Sequence, residues 1–207
     1  MLEEIRVLIA DDHSVVRMGL TALLGAEDDI VVVGEAKNGE DTVREALRLT
    51  PDVVVMDLVM PKKDGVAATA ELHEKLPSAR ILILTSYSTS DGIAHAIEAG
   101  AAGALMKSAE NESLISAIRA VHAGKRVIPA VVKRLLAEDP PVPVLSPRQL
   151  EIIGSIARGL TNKEIATQLD ISLESVKSHV KIILEKLGAG SRTEAASIAQ
   201  RKQLLKM

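Results

Sequence analysis

Asp11, Asp12, Asp57, Thr85 and Lys107 are the candidates for a reactive site, because each follows or closes a predicted strand. Asp11 and Asp12 come after the run Ile5–Ala10, Asp57 after Val53–Met56, Thr85-Ser86 after Ile81–Leu84, and Lys107 after Gly103–Met106. Carboxylates converging on one pocket repel one another and titrate upward unless a cation shares the site. Oxygen-only ligands favour a hard divalent ion, and Mg2+ takes one or two carboxylates, several waters and a phosphate oxygen. Such an ion, with the Lys107 ammonium, would neutralise an incoming phosphoryl group while a carboxylate attacks phosphorus. Asp57 is the expected nucleophile: it ends Val53-Val54-Val55-Met56, a strand expected at the sheet centre, and precedes the loop Leu58-Val59-Met60-Pro61.

The strands and helices that carry these groups follow from the apolar pattern. Five β-branched runs, the four above and Ile30–Val33, alternate with helical stretches between Ile5 and about Gly124. That alternation predicts a five-stranded, doubly wound parallel sheet covered on both faces. Ligands of such sheets bind beyond the carboxyl ends of the strands, where the five chemical residues fall. A dinucleotide fold would carry a glycine-rich first turn; here it reads Asp11-Asp12-His13-Ser14, and no GxxxxGK[ST] occurs, so nucleotide binding through these loops is not expected. His13 is expected as a surface or helix-start residue, since magnesium prefers oxygen. Lys62 and Lys63 read as a solvated loop, and Tyr87 either as a residue at the pocket mouth or as a half-buried filler.

Residues 1–124 are read as one domain, 125–143 as a linker and 144–207 as a second, all-helical domain. The linker assignment rests on the lapse of pattern after Arg126 and on Pro140-Pro141-Val142-Pro143, which can neither continue a helix nor pair centrally in a sheet. Four helices are expected after it, with Ser146-Pro147-Arg148-Gln149, Thr161-Asn162-Lys163-Glu164 and Ser191-Arg192-Thr193-Glu194 read as capping boxes. Asn162–Leu169, the connector Asp170-Ile171-Ser172 and Leu173–Leu187 form a helix, turn and helix; a last helix runs from Thr193 to Leu205. On the second helix of the pair Val176, Val180, Ile183, Leu184 and Leu187 share the core face. Lys177, Ser178 and Lys181 then fall together on the outer face, which suits a major groove about 12 Å wide.

Composition narrows the function classes. The chain has 207 residues and a formal charge of −3, which rules out a protein that is basic throughout. The charge is uneven: fifteen basic against twenty-two acidic residues up to Pro143, ten against six from Val144 onward, so the carboxy-terminal part is the one expected to meet nucleic acid. No cysteine is present, which excludes disulfides, thiolate metal sites and cysteine nucleophiles and fits a reducing cytoplasm. With no Phe, no Trp and one Tyr the chain cannot build the stacking platforms of single-strand readers, so any DNA bound should be duplex. The start MLEEIR lacks a signal-peptide apolar region, and no run approaches the ~18 apolar residues of a membrane span, so a cytoplasmic protein with no membrane partner is expected.

Taken with Met60-Pro61 and Asp64-Gly65 after Asp57, the first five residues closely resemble the receiver domain of two-component response regulators over about residues 3–124. The resemblance implies a flavodoxin-like fold and phosphorylation of Asp57 by a sensor histidine kinase. It further implies Mg2+ held by Asp12, Asp11, Asp57 and the Val59 carbonyl, with Thr85 and Lys107 on the phosphoryl oxygens. One position departs: the family usually places an aromatic three residues before the lysine, and here stands Ala104. Val59 and Tyr87 occupy the positions that in this family govern hydrolysis of the phosphoryl bond, and neither can orient water as an acid or amide does; slow self-dephosphorylation is expected.

The second domain resembles the LuxR-type helix-turn-helix of NarL/FixJ-type regulators over residues 144–204. The strings Leu160-Thr161-Asn162-Lys163-Glu164-Ile165-Ala166, Val176-Lys177-Ser178-His179-Val180 and Ser191-Arg192-Thr193-Glu194-Ala195-Ala196 carry it. It implies base-edge and backbone contacts by Lys177, Ser178 and Lys181, phosphate contacts by Asn162, Lys163 and Arg192, and pairing of two domains through the last helix. His179 is read as a packing or phosphate-side residue. The expected function is a transcriptional regulator whose phosphorylation promotes homodimerisation and binding of double-stranded DNA. Its rivals are a constitutive DNA-binding regulator with an inactive receiver and a magnesium-dependent phosphatase; against the latter, the first strand is followed by adjacent acids and not by DxD.

Overall fold

The computed structural model describes residues 4–86, 90–138, 141–202 and 204–205. The chain divides into two compact units between Pro140 and Pro141. In the first, β1 (Ile5–Ala10), β2 (Ile30–Ala36), β3 (Val53–Met56), β4 (Arg80–Thr85) and β5 (Gly103–Met106) pair in parallel in the order β2-β1-β3-β4-β5. The strand order reverses between β1 and β3, which opens a crevice at their carboxyl ends. Between and after the strands run α1 (Ser14–Leu24), α2 (Gly39–Leu49), α3 (Gly65–Lys75), α4 (Ser90–Glu98) and α5 (Asn111–His122).

Alternation along each strand feeds two cores. Leu8, Val54, Met56, Ile81, Ile83, Ala104 and Met106 face one layer with Val43, Leu72 and Ile93, while Val7, Ile9, Val55, Leu82 and Leu105 face the other with Leu24, Leu114 and Ile118. Covered on both sides, β3 needs no polar position, hence its unbroken apolar run.

Two elements differ from the sequence reading. Strand β2 continues past Val33 through Gly34 and Glu35 to Ala36, with a register shift opposite Val7 and Leu8. Gly34 interrupts the β-branched run but leaves room for Leu49 and Leu8, whose methyl carbons a Cβ would meet at 2.6 and 3.3 Å. The stretch read as linker is also structured before Pro140. Val127 pairs with Gly103 at the free edge of β5, and α6 (Ala130–Glu138) buries Val132 completely in the layer that contains Ala104 and Met106. Val132, Leu135 and Leu136 are spaced for one helix face, so α6 has an amphipathic signal that the prolines after it obscured.

The second unit is α7 (Pro147–Ala157), α8 (Asn162–Leu169), α9 (Leu173–Leu187) and α10 (Arg192–Arg201) around Ile152, Ile153, Ile165, Val176, Ile183 and Ala195. Ser146 with Gln149 and Thr161 with Glu164 form reciprocal capping boxes. At Ser191 the hydroxyl accepts from the Glu194 N–H, but Glu194 accepts from Gly190 N–H and not from Ser191, so the third box is half made. Helix α10 ends at Arg201, four residues before the predicted Leu205; the chain turns there, with the Leu204 N–H donating to the Ala199 carbonyl, and Leu204 and Leu205 pack back on the core.

Candidate functional site

The crevice between β1 and β3 is built by backbone hydrogen bonds that run one residue past the strands. Asp11 N–H donates to the Ala36 carbonyl at 3.1 Å, Asp57 N–H to Ala10 at 2.8 Å, and Lys107 N–H to Thr85 at 2.7 Å. These bonds bring the residues predicted from four separate strand ends to one rim. Asp11 is 2% exposed, Asp57 4% and Thr85 3%. Carboxylate oxygens of Asp11, Asp12 and Asp57, with a ring nitrogen of His13, lie within 4.8 Å of one another.

Lys107 closes this group: its ammonium is 2.7 Å from Asp11 Oδ2 and 2.7 Å from Asp57 Oδ2. Burial pushes the Asp57 carboxyl above its ordinary pKa; the hydrogen bond and charge of Lys107 oppose that push without cancelling it, and the nearby Asp11 adds to it. Burial also works against the Lys107 ammonium, but the hydrogen bonds it donates to Asp11 and Asp57 outweigh it and hold the lysine above its usual value. Three acids against one ammonium leave a negative, oxygen-rich notch. That donor set fits a hard divalent cation, with Asp11, Asp12 and Asp57 able to supply ligands.

The remaining predicted residues fall around the rim. Val59 is 64% exposed, and its backbone N–H slightly opposes the upward push on the Asp57 carboxyl. The Thr85 hydroxyl makes a long 3.3 Å hydrogen bond to the Ser86 carbonyl, so it is weakly held. His13 is exposed at the start of α1, with Nδ1 2.7 Å from Asp12 Oδ1 and no side-chain cap of its own. Tyr87 lies outside the described residues. Lys62 is exposed as expected, whereas Lys63 is part-buried and hydrogen-bonded to Glu71, whose carboxyl Lys63 and Lys75 hold down to about 2. Lys63 thus fastens the loop after Asp57 to α3 and is no free surface charge.

Sequence reasoning missed a residue behind the notch. Arg17, on α1, donates to the Asp11 carbonyl at 2.8 Å and to Glu35 Oε2 at 3.0 Å. Its partner lies on β2, so no local spacing signals the pair.

In the second unit Lys177, Ser178 and Lys181 are exposed on α9, opposite buried Val176, Ile183 and Leu187. Lys177 donates to Glu174 Oε1 at 2.8 Å, and Lys181 is 3.9 Å from Glu185. Lys163 is exposed at the start of α8. Arg192 is half-buried and donates to the Leu160 carbonyl and, at 3.5 Å, to Asn162 Oδ1, so these two residues tie α10 to the first turn of α8. His179 is half-buried, with Nδ1 shielded from solvent. Among the described residues no helix is long and apolar enough to cross a membrane.

Comparison with known proteins agrees with both units. Residues 7–119 match the response regulator receiver domain family, and residues 143–199 match the bacterial regulatory proteins of the luxR family. The transcriptional regulatory protein LiaR of Bacillus subtilis (strain 168) is 43% identical over 209 residues, spanning 97% of this chain and 99% of its own. The response regulator ChrA of a heme-sensing two-component system is 39% identical, with a TM-score of 0.60 over 99% of this chain and 100% of its own. A complex of the response regulator RcsB with DNA is 26% identical, with a TM-score of 0.65 over 96% and 99%. The chain belongs to the two-component response regulators, with a receiver domain followed by a LuxR-type DNA-binding domain.

Proposed function

We propose that Asp57 accepts a phosphoryl group from the phosphohistidine of a sensor histidine kinase, and that this promotes homodimerisation and promoter binding. The observation that carries the reading is the buried Asp57 carboxylate held 2.7 Å from Lys107 beside Asp11 and Asp12. An Asp57 oxygen attacks phosphorus; a new O–P bond forms as the donor's P–N bond breaks, and the imidazole nitrogen keeps the electron pair and takes a proton. Mg2+, held by Asp11, Asp12, Asp57 and the Val59 carbonyl, would neutralise the phosphoryl oxygens. Lys107 is already at the attacking carboxylate and can pass to a phosphoryl oxygen, while the loosely held Thr85 hydroxyl can turn to another. Val59 presents an alkyl side chain where a water would have to be oriented for hydrolysis, so the phosphoryl group should persist well beyond seconds.

Phosphorylation adds about −1.5 to −2 charges at pH 7. The new charge draws on Thr85 and Lys107, whose backbones are joined across β4 and β5, and so acts on the strand ends nearest α4 and α5. In the second domain Lys177, Ser178 and Lys181 would meet the major groove, with Lys163, Asn162 and Arg192 toward phosphates. The response regulator RcsB, a structural relative, binds DNA as dimers, which supports pairing as the route to occupancy. Two weak half-site contacts joined in a dimer raise their effective concentration without a new contact.

Acetyl phosphate with Mg2+, read on a phosphate-sensitive gel beside Asp57→Asn and followed by sedimentation, tests the reading. A shifted, dimeric wild type and an unshifted variant are expected. An unshifted wild type would favour a constitutive DNA binder, and multiple turnover of a phosphate ester would favour a phosphatase.

A further inference from the structure

The Asp11-Asp12 turn is held from behind. The backbone ladder between β1 and β2 ends with the Asp11 N–H on the Ala36 carbonyl. The Asp11 carbonyl, next along the chain, instead receives Arg17 Nη1 at 2.8 Å. Arg17 Nε donates to Glu35 Oε2 at 3.0 Å, and Glu35 Oε1 accepts from the Thr21 hydroxyl at 3.0 Å. Arg17 and Thr21 are four residues apart on α1 and so reach β2 from one face of the helix. The Arg17 side chain is only 18% exposed, and a charge on a side chain so placed is held there by its partners. On the other side of the turn, the Asp11 carboxylate accepts from the His13 N–H at 2.8 Å and faces Lys107.

A peptide group is planar, so fixing the Asp11 carbonyl fixes the plane of the Asp11-Asp12 peptide and the direction in which Asp12 leaves it. Asp12 is a third exposed and has no strand to orient it, so its aim depends on that plane and on its 2.7 Å contact with His13 Nδ1. We propose that Arg17 is a positioning residue for divalent-cation binding: tied to Glu35, it holds the Asp11-Asp12 peptide in the orientation that lets both carboxylates share a cation with Asp57. Arginine suits the task because its planar fork bonds a carbonyl and a carboxylate at once, which a lysine ammonium on a flexible stem does less well. The inference rests on the notch being the magnesium-dependent phosphoacceptor site.

Calorimetric Mg2+ titration of the full chain, with acetyl phosphate labelling of Asp57 as a function of Mg2+, tests it on wild type, Arg17→Ala, Arg17→Lys and Glu35→Gln. Loss of a group that orients a metal ligand weakens metal affinity about 10-fold or more. The expected result is a Mg2+ dissociation constant raised by about that factor in Arg17→Ala, less in Arg17→Lys and Glu35→Gln, with labelling at saturating Mg2+ near the wild-type level. A purely structural staple would lower the melting temperature in EDTA and leave Mg2+ affinity unmoved. That outcome in any folded Arg17 variant overturns the proposal, and if Arg17→Ala does not fold, Arg17→Lys and Glu35→Gln decide by the same comparison. A wild-type chain that binds no Mg2+ would instead overturn the functional reading itself.

Discussion

Asp57 Oδ2 and the Lys107 ammonium lie 2.7 Å apart inside a notch that water barely reaches, and the pairing leaves the carboxyl pKa raised. Burial is the larger effect, so ionised Asp57 disfavours the folded receiver. For a group whose folded pKa lies above its unfolded value, the stabilising contribution is full below the unfolded pKa, here 3.8, and is lost as pH rises through the folded one. Without divalent cation at pH 7, Asp57→Asn should therefore raise the melting temperature, by about 4 °C for each kcal/mol of relieved burial. The gap between variant and wild type should close as pH falls through the Asp57 pKa. Thermal melts in EDTA across that range check both the sign and the window.

Gly65 opens α3 against the backbone of the strand that carries Asp57. A Cβ there would stand 2.2 Å from the Asp57 carbonyl oxygen and 2.9 Å from Leu58 Cα, and neither is a flexible side chain that can yield. Gly65→Ala should cost about 1–3 kcal/mol of stability and shift Asp57 relative to Lys107. Denaturant unfolding measures the first effect, and a slower rate of Asp57 labelling at saturating Mg2+ the second.

Val132 of α6 is fully buried against the layer that includes Ala104. Ala104 stands where the resemblance leads one to expect an aromatic, and its small side chain shares a core with an element that composition suggested was a linker. Val132→Ala should destabilise the first unit by about 2 kcal/mol. A true linker residue would give no change in the unfolding midpoint.

On α9, Lys177 and Lys181 face outward, each beside a glutamate one turn away. If both neutralise DNA phosphates, each alanine substitution should reduce the dependence of log affinity on log salt by about one unit. A substitution that instead relaxes preference at one base position, with the salt slope intact, marks that lysine as a base reader. Binding isotherms across a salt series separate these outcomes.

The sheet was legible because doubly covered parallel strands show no polar position: Val53-Val54-Val55-Met56 can hardly be anything else. Asp11, Asp57 and Lys107 were legible for the related reason that a polar residue directly after such a run must sit at the crevice. Helices α8 and α9 match their predicted bounds, since Thr161 and Ser172 cap them and Leu187 precedes a left-handed Gly188. Less could be read where a contact spans the chain. Arg17 meets Glu35 across two elements, Lys63 meets Glu71 across a loop, and α6, whose amphipathic spacing the following prolines obscured, buries Val132 against the sheet. The end of β2 was hidden by Gly34, whose missing side chain makes room for Leu49.

In the proposed switch, a phosphoryl group on Asp57 changes how strongly the LuxR-type domain holds duplex DNA. The most direct measurement is the affinity of one preparation, stoichiometrically phosphorylated or not, for an operator selected from a random duplex pool. Phosphorylated protein should bind at least about tenfold more tightly, with Asp57→Asn fixed at the weaker value. Equal affinity of the two forms, with Asp57 shown by mass to carry the phosphoryl group, would mean that phosphorylation does not set the grip on DNA.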